Sequence, residues 1–450
     1  MARKRLKSCQ VLAGSWRSKI RGEIEVALNE QAVLSIRREF PSLMETQAGK
    51  AIIFFDGPGG TQVHGSVIEA MGHYLTTANS NAHGSFLHSR RTDEAIIQAR
   101  RAMTDFLNAS RPEEIVFGPN MTTLTFRLSQ AIGETLNPGD EIVVTRLDHD
   151  ANVSPWLALQ EKGVVIRHVD FEPAECTLNM KDMERAINRR TKVVALGYAS
   201  NAVGTVNDIG SVIDMAHEAG AWVYIDAVHY APHGPIDVEA LGCDFLVCSA
   251  YKFFGPHLGV LFGRYDLLGA LPARKVAPAG DDPPDKFETG TNNFEGICGA
   301  AAAVGYLASI GQRFGDDFMR DYPGFAGRRL HLKTGMSAIR AYEKTLARAL
   351  IAGLQKVPGI RIYGITDEAN LDRRVPTVSF TMGDLSPGEI AGKLDAENIY
   401  VWDGHFYAVA AIERLGLANR GGVVRVGLCH YNTLEEVETL LSRLSTMRRG

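Results

Sequence analysis

The sequence predicts an α/β protein with a large domain, built on a mostly parallel sheet of about seven strands, and a small C-terminal α+β domain. Short apolar runs bounded by turn residues alternate with helix-length segments, as in crossover units that join parallel strands. Beyond residue 330 this alternation stops, which indicates a second domain. The apolar runs are Ile115–Phe117, Glu141–Thr145, Val164–Val169, Lys192–Gly197, Trp222–Asp226, Phe245–Ser249 and Val260–Gly263.

Helical patterns fill the intervals between these runs and continue into the smaller domain. Residues 28–44 form an amphipathic pattern that ends at Phe40, because a residue before proline disfavours helix. Ser386 and Thr433 stand at N-cap positions, where hydroxyl oxygens accept hydrogen bonds from free backbone N–H groups. The other predicted elements are helices Thr92–Asn108, Thr122–Leu136, Ile209–Ala219, Gly335–Gln355, Ser386–Glu397 and Thr433–Met447, and strands Val375–Met382 and Val423–Leu428.

These patterns divide the chain into four parts. We expect a basic tail over residues 1–27, a segment over 28–54 that joins the small domain, a large domain over 55–330 and a small domain over 331–450. The first 21 residues carry seven basic and no acidic side chains. Their apolar centre is too short for a secretory signal, so we expect a tail without a folding role, with targeting as the alternative.

Composition argues against several classes of function. The 450 residues carry a formal net charge of -4, which predicts no binding to nucleic acid or to acidic membranes. No apolar run approaches the roughly 20 residues that a membrane helix needs. The six cysteines form no C-x-x-C pair, so we expect no metal site and no dithiol motif. Sparse cysteines in a chain of this size predict a cytoplasmic location.

Lys252 is the first candidate for chemistry, because it follows a predicted strand and has aromatic and small neighbours. A lysine there lies at the carboxyl edge of the sheet, where open α/β folds bind ligands. Poor solvation lowers the pKa of an amine and makes it a nucleophile toward an aldehyde. The alternative is a lysine whose stem packs on the strand end while its charge reaches water.

Acidic and imidazole side chains follow two other predicted strands. Asp226 ends its strand about one crossover before Lys252, where a carboxylate can pair with a protonated pyridine nitrogen. A helix N-cap is the alternative for this aspartate. His229 follows three residues later, and His149 comes shortly after another strand, where its flat ring could stack on an aromatic ligand or simply face solvent.

A helix start supplies a candidate anion site. Met121 and Thr122 open a predicted helix after a strand, where free backbone N–H groups and hydroxyls favour a phosphate. Ser249, three residues before Lys252, offers a further hydroxyl. A plain helix cap explains the first pair equally well, but all these groups together, each at a strand end, predict one cofactor pocket.

At this point the sequence resembles the class V aminotransferases, particularly the cysteine desulfurases of the SufS type and their relatives. The resemblance runs from about residue 55 to the C-terminus. It is carried by the segments Asp56–Thr61, Asp148–Asn152, Ala199–Thr205, Tyr224–His229, Ser249–Lys252 and Phe287–Asn292. It implies the fold type I of enzymes that depend on pyridoxal 5'-phosphate (PLP).

The resemblance implies roles for the residues at matching positions. Lys252 would hold PLP as a Schiff base and move the substrate α-proton, while Asp226 would pair with the pyridine nitrogen and His149 would stack on the ring. Thr291 would reach the phosphate of a neighbouring subunit, which implies a homodimer with shared active sites. The remaining implied residues are Asn201 and His229 near the phenolic oxygen, Met121, Thr122 and Ser249 at the phosphate, and Arg425, Gly59 and Gly60 at the amino-acid substrate.

Two departures from the family pattern bear on the reaction. Desulfurases of this family carry a mobile cysteine in the loop that corresponds to residues 401–408, where Tyr407 stands here. A persulfide step needs a thiolate, so this step is not expected. Tyr251 replaces the histidine that commonly precedes the lysine; we favour a packing role with a hydrogen bond over an acid/base role.

The sequence leaves the reaction open after removal of the α-proton. We expect a cysteine desulfurase-like enzyme that eliminates a group from the β-carbon of an amino acid, as a C–S lyase does. An aminotransferase that uses an amino acid and a keto acid is the first alternative, and an epimerase remains open. A PLP-binding partner protein without turnover is the alternative from another class.

Overall fold

A computed structural model of the chain describes residues 28–447. The basic tail predicted for residues 1–27 lies outside the described residues. All seven apolar runs predicted as strands lie in one sheet, which confirms the predicted α/β class. Across the sheet the order is Ile115–Gly118, Gly259–Gly263, Phe245–Ser249, Trp222–Asp226, Thr191–Gly197, Glu141–Thr145 and Val165–Val169.

The large sheet is mostly parallel, as predicted. Gly259–Gly263 pairs antiparallel with both of its neighbours, and the remaining strands run in one direction. Apart from the edge strand Val165–Val169, the strands are almost wholly buried, since helices cover both faces. Asp226 and Ser249 are the last residues of adjacent strands, which brings the groups that follow them to the same edge.

Helices surround this sheet with boundaries near those predicted. The helix predicted from Thr92 begins five residues earlier, at Leu87. Asn120 caps the next helix, because its Oδ1 accepts the N–H of Thr123 at 2.9 Å. The helices are Gly65–Thr77, Leu87–Leu107, Met121–Gly133, Ser154–Leu157, Met180–Ala186, Ile209–Glu218, Val238–Leu241, Tyr265–Ala270 and Phe294–Phe314.

A second, antiparallel sheet lies toward the C-terminus. Its order is Ile360–Tyr363, Thr377–Met382, Val423–Gly427 and Trp402–Gly404. Ser386 and Thr433 form capping boxes with Glu389 and Glu436, so both predicted N-caps are confirmed. The helices here are Gly327–Leu354, Pro387–Asp395, Val409–Arg414 and Leu434–Thr446. The proposed division between residues 330 and 331 falls inside the first of them.

The segment before residue 55 packs against the C-terminal part of the chain. The pattern over residues 28–44 forms helix Glu30–Arg37 and then a 3-10 turn, Pro41–Met44. Strand Ile53–Phe54 pairs in parallel with Ile399–Tyr400, and Arg37 forms an ion pair with Glu436 at 2.9 Å. These contacts support the proposed joining of residues 28–54 to the small domain.

Short elements complete the described chain. Thr46–Gln47 pairs with Lys50–Ala51, and Phe171–Glu172 with Thr177–Leu178. The remaining 3-10 turns are Gly57–Gly59, Pro112–Glu114, Asp150–Asn152, Ala158–Lys162, Ala250–Lys252, Asp285–Phe287, Asp316–Asp321, Glu368–Arg373 and Ala418–Arg420. Two of these turns, Gly57–Gly59 and Ala250–Lys252, lie beside the cavity described below.

One helix departs from the expectation that no apolar run approaches membrane-spanning length. Within residues 28–447, helix Phe294–Phe314 is long and apolar enough to span a membrane, although 61% of its most apolar 18-residue stretch is buried inside the protein. It packs against Gly65–Thr77, Leu87–Leu107 and Gly327–Leu354. A helix enclosed in this way buries its apolar side chains against protein, as a core helix does.

Candidate active site

A cavity of about 270 Å³ lies at the carboxyl edge of the large sheet, where it meets the antiparallel sheet. Open α/β sheets bind ligands at this edge, because the loops after adjacent strands leave a crevice there. The cavity is lined by side chains from both sheets and from the loops that connect them. Nine predicted site residues line it: Gly59, Met121, Thr122, His149, Asn201, Asp226, His229, Lys252 and Arg425.

Lys252 reaches the cavity from the turn directly after strand Phe245–Ser249. Its Nζ donates a hydrogen bond to the carbonyl oxygen of Pro58 and lies 4.8 Å from the centroid of the Tyr251 ring. Burial, helped by the positive charge of Arg425, lowers the pKa of this amine from 10.5 to about 7. A large fraction of the amine is therefore neutral near pH 7 and able to attack a carbonyl carbon.

Asp226 supplies a buried anion beside this amine. It is the last residue of its strand, only 8% exposed, and its Oδ1 accepts the N–H of Val228 at 2.9 Å. Burial raises the pKa of this carboxyl to about 6, although the Val228 hydrogen bond and the Lys252 charge oppose the rise. The group is mostly ionised at neutral pH, as required to hold a cationic ring nitrogen.

Asp148, which was not among the predicted site residues, lines the same cavity. Its Oδ1 accepts the N–H of Gly197 at 2.7 Å. Burial, together with the nearby Asp226 charge, raises the pKa of Asp148 to about 8. It therefore keeps its proton near neutral pH and leaves Asp226 as the anion. Its position directly before His149, in a segment already singled out, is the sequence signal for it.

The other polar predicted residues hold defined orientations. His149 Nδ1 accepts the N–H of Ala151 at 3.0 Å, and burial lowers the pKa of His149 to about 4. His229 Nε2 lies 2.9 Å from Thr377 Oγ1, and burial holds the pKa of this imidazole well below 6.5. Both rings are thus neutral at pH 7. Asn201 Oδ1 is buried without a hydrogen-bond partner among the described residues.

The helix start predicted to hold a phosphate lies at one end of the cavity. Met121 and Thr122 line the cavity at the first turn of their helix, where backbone N–H groups point outward. Ser249 does not line it, but its Oγ accepts the N–H of Met121 at 3.2 Å. The amide and hydroxyl expected at one anion are therefore neighbours.

Arg425 lies at the opposite sheet, in the middle of its strand and only 3% exposed. Its Nη1 donates to the carbonyl oxygen of Asn201 at 2.9 Å, while its buried Nε has no partner among the described residues. Burial lowers the pKa of the guanidinium to about 9, so it stays cationic at neutral pH. A buried cation with a free donor suits a carboxylate.

The two glycines predicted at the substrate differ in position. Gly59 lines the cavity, and a Cβ on it would lie 2.1 Å from Trp402 Nε1, so this close packing requires glycine. Gly60 does not line it; a Cβ there would lie 3.3 Å from the ring of Tyr251.

Thr291 is exposed and does not line the cavity of its own chain. The segment before it is anchored by Glu288, which pairs with Arg100 at 2.6 Å and accepts from Asn292 Nδ2 at 2.7 Å. Its predicted contact with a phosphate in a neighbouring subunit remains a prediction.

Four aromatic side chains, which we name the aromatic rim, also line the cavity: Tyr251, Trp402, Phe406 and Tyr407. Trp402 and Phe406 were not predicted as site residues. The sequence signal for them is their place in the stretch 401–408, which contains no cysteine. Tyr407 is 67% exposed and Trp402 is 47% exposed, so both lie where the cavity opens to solvent.

The residues at the cavity fit PLP. The near-neutral amine of Lys252 suits its aldehyde carbon, and the Asp226 carboxylate suits its pyridine nitrogen. The unpartnered Asn201 Oδ1 can accept a hydrogen bond from the ring hydroxyl, and the helix start at Met121 suits the phosphate. Fold and site together define a PLP-dependent enzyme of fold type I.

The chain belongs to the class V aminotransferase family, whose model matches residues 53–316 and 326–440. This family depends on PLP, which confirms the predicted cofactor. The chain is 33% identical over 434 residues to a probable cysteine desulfurase of Mycolicibacterium paratuberculosis, with 93% of this chain and 58% of that protein covered. It is 30% identical over 430 residues to a probable cysteine desulfurase of Synechocystis sp., covering 92% and 95% of the two chains.

Some curated relatives are longer than this chain. A cysteine desulfurase of Synechococcus elongatus is 33% identical over 431 residues, but the chain spans only 63% of its length. Solved structures agree on the fold. The apo cysteine desulfurase from Thermococcus onnurineus superposes with a TM-score of 0.80 at 28% identity, covering 92% of this chain and 97% of that one. The cysteine desulfurase CsdA from Escherichia coli gives 0.77 at 26% identity with the same coverage.

Proposed function

We propose that this chain eliminates a group from the β-carbon of an amino acid, as a C–S or C–Se lyase does, without a persulfide step. The observation that carries the proposal is the shared lining of one cavity. Lys252, Asp226 and Arg425 supply a base, an anion and a carboxylate-binding cation there, while Tyr407 takes the loop position expected for a cysteine.

Three residues of the chain have separate roles in the proposed elimination. Arg425 binds the α-carboxylate through its guanidinium, which orients the Cα–H bond toward Lys252. Lys252 Nζ accepts the α-proton, which its lowered pKa allows near neutral pH. Bound PLP supplies an electron sink for the charge left on Cα, and Asp226 keeps that sink strong by holding the ring nitrogen protonated.

The state of the Cys429 thiol supports elimination without a persulfide. Cys429 is buried, and burial raises its pKa well above the ordinary value, so it carries little thiolate. No cysteine lines the cavity within residues 28–447. A desulfurase would need a thiolate at the substrate sulfur, and Tyr407 offers a phenol instead.

The proposal extends to assembly and organisation. We infer a homodimer in which Thr291 of each subunit contributes to the other site, because Thr291 is exposed and does not line the cavity of its own chain. We also infer a cytoplasmic enzyme with the four-part division given above. The pairing of Ile53–Phe54 with Ile399–Tyr400 supports the joining of residues 28–54 to the small domain.

Product analysis by mass spectrometry tests the reaction. The holoprotein is incubated with L-cysteine, L-selenocysteine, S-substituted cysteines and L-alanine, each with and without a keto acid. We expect pyruvate and ammonia in equal amounts with the released thiol or selenol, and no dependence on the keto acid. Stoichiometric consumption of the keto acid would instead identify transamination, and absence of any product would favour a non-catalytic role.

Two variants control this experiment. Lys252→Ala should abolish product, which ties the reaction to the amine. Tyr407→Cys places a thiol at the loop position, and intact-mass analysis then asks whether protein-bound sulfur accumulates. Protein-bound sulfur on the unmodified chain would contradict the absence of a persulfide step.

A further inference from the structure

We propose that the aromatic rim binds a large planar apolar group beyond the β-carbon of the substrate, so that the substrate is an S-aryl or S-arylmethyl cysteine. This inference rests on the proposed function, since it names the leaving group of that elimination. Its basis is that four rings line the same cavity as Arg425, the cation assigned to the α-carboxylate, and that two of them, Trp402 and Phe406, lie beside it.

Trp402 stands directly beside that cation. It is the residue opposite Arg425 on the adjacent antiparallel strand, so both side chains lie on the same face of the sheet. The indole packs against the backbone of Gly59, where a Cβ would lie 2.1 Å from its Nε1. With 47% of Trp402 exposed, an unoccupied part of the ring remains for a ligand.

Phe406 lies over the same guanidinium, with Arg425 Cζ 3.8 Å from the ring centroid. Its carbonyl oxygen accepts a hydrogen bond from Asn201 Nδ2 at 2.8 Å, which ties the loop to the large-domain side of the cavity. The φ angle of Phe406 is +54°, a conformation that costs free energy for a side chain of this size. The loop thus holds this ring at the cavity against a local preference.

Tyr407 continues the same arrangement. Its ring stacks on His149 with centroids 5.4 Å apart and an interplanar angle of 22°. Its carbonyl oxygen accepts the N–H of Asp150 at 2.8 Å, and its φ angle is +58°. At 67% exposure, this ring has an open face. Offset or edge-on contacts would stabilise an aromatic substrate group placed against this open face.

Charges argue for an apolar substrate group. Among the described residues that line the cavity, the cations are Lys252 and Arg425, and the carboxyls are Asp226 and Asp148, all assigned above. The rim itself offers rings and no charged partner. Tyr251 completes it, stacked on His257 with centroids 5.0 Å apart. A charged end on the substrate would find no opposite charge among these four side chains, whereas a planar apolar group would find ring surface to cover.

The step balances without an oxidant or a further co-reactant. Lys252 removes the α-proton, the Cβ–S bond breaks, and its electron pair leaves with sulfur, which takes up a proton as the free thiol. Water supplies the keto oxygen. One S-substituted cysteine and one water thus yield one thiol, one pyruvate and one ammonium ion.

Binding and turnover are measured separately on the holoprotein. Calorimetry gives Kd for L-phenylalanine and L-alanine, and steady-state rates give kcat/KM for S-phenyl-L-cysteine, S-methyl-L-cysteine and L-cysteine. We expect at least about tenfold tighter binding of phenylalanine and a similar preference in kcat/KM for the phenyl thioether. Equal Kd values for phenylalanine and alanine would overturn the inference.

Substitutions in the rim test which side chains cause the preference for phenylalanine over alanine. Trp402→Ala and Tyr407→Ala should each reduce the phenylalanine-to-alanine ratio, whereas Tyr407→Phe should keep it because the ring remains. Both residues are partly exposed, so truncation does not open the core. Met319→Ala, a 46% exposed apolar residue that does not line the cavity, is the matched control and should leave the ratio unchanged.

The two failures are distinguishable. Selective binding of phenylalanine without pyruvate from any thioether would refute the proposed elimination and keep the aromatic subsite. Pyruvate formed at equal kcat/KM from S-methyl- and S-phenyl-L-cysteine would keep the elimination and refute the subsite. Ratios unaffected by Trp402→Ala and Tyr407→Ala would also refute it.

Discussion

The two sides of the cavity differ in how their geometry arises. We define the polar floor as Lys252, Asp226, His149, Asn201 and His229. These residues lie at the ends of strands, or in the segments that follow them, in one mostly parallel sheet. In the aromatic rim, Phe406 and Tyr407 lie on a loop, where their carbonyl oxygens accept hydrogen bonds from Asn201 of the floor and from the backbone N–H of Asp150.

This difference separates general chemistry from selectivity. The floor matches the segments that carry the family resemblance, and its pKa shifts suit proton transfer near neutral pH. The rim carries the segment where we predict a departure from the desulfurase pattern, because Tyr407 stands at the loop position expected for a cysteine. Changes in the floor should therefore affect all substrates alike, and changes in the rim should alter their ranking.

The largest expected effect concerns the amine of Lys252, and its absence would contradict the comparison between floor and rim. With its pKa lowered to about 7, its neutral fraction at pH 7 is roughly 10³-fold larger than that of an ordinary lysine. Competitive acetylation of the apoprotein across pH, read by peptide mass spectrometry, should give half-maximal reactivity near pH 7. Exposed lysines of the same sample are the control; a Lys252 titration coinciding with theirs would contradict the burial argument.

The Asp226→Asn variant tests the anion of the floor. The amide keeps an acceptor for the Val228 N–H, so folding should be preserved while turnover falls about 10²- to 10³-fold for every substrate. Turnover is measured as released thiol, and folding as the thermal midpoint. A loss confined to one substrate would place Asp226 in selectivity instead.

Acidification offers the same test without mutation. Because the pKa of Asp226 is raised to about 6, its carboxylate is lost as the pH falls through 6, and turnover should decline there. Protonation of Lys252 near pH 7 should lower turnover in both proteins, whereas the limb near pH 6 should be absent from the Asp226→Asn variant, which is already slow. An identical limb in the variant would assign the decline to another group.

Arg425→Ala should raise KM for all amino acids by roughly tenfold to a hundredfold, because a charge-assisted hydrogen bond to the carboxylate is lost. Cofactor binding, followed by visible absorbance, should be unchanged. Arg425→Lys retains the charge without the bidentate fork and should recover part of the loss. An unaffected KM in Arg425→Ala would contradict its assignment.

The smallest effect expected is that of Thr291→Val. Loss of one hydroxyl at the phosphate should weaken cofactor binding by about tenfold or less. In mixed dimers with Lys252→Ala, one restored site per dimer would show that Thr291 serves the partner's cavity. Equilibrium dialysis of the cofactor and sedimentation of the mixtures provide both readings, and a monomer in solution would contradict the shared site.

The division between floor and rim also separates what the sequence could predict from what it could not. The strands were predictable because buried parallel strands are continuous apolar runs, and strand-end groups such as Asp226 and Lys252 then necessarily share an edge. Helix Gly327–Leu354 begins eight residues before the predicted start at Gly335. In this added part Arg329 pairs with Asp105 at 2.9 Å, and the two residues are distant in the sequence. Tertiary pairing of this kind leaves no periodic signal.

The positions of the rim side chains could not be predicted from the sequence, for a related reason. Phe406 and Tyr407 take positive φ values, which sequence alone does not suggest for aromatic residues. Their positions depend on hydrogen bonds to Asn201 and Asp150, which lie far away in the chain. The absence of a cysteine from residues 401–408 is visible in the sequence, but the arrangement of the rings at the cavity depends on the fold.

The most direct test of the central claim is reduction of the holoprotein with borohydride, followed by peptide mapping. The account predicts a yellow protein in which reduction fixes the cofactor on Lys252, and a Lys252→Ala variant that keeps its fold but loses this attachment. Cofactor fixed on any other lysine, or on the Lys252→Ala variant to the same extent, would contradict it.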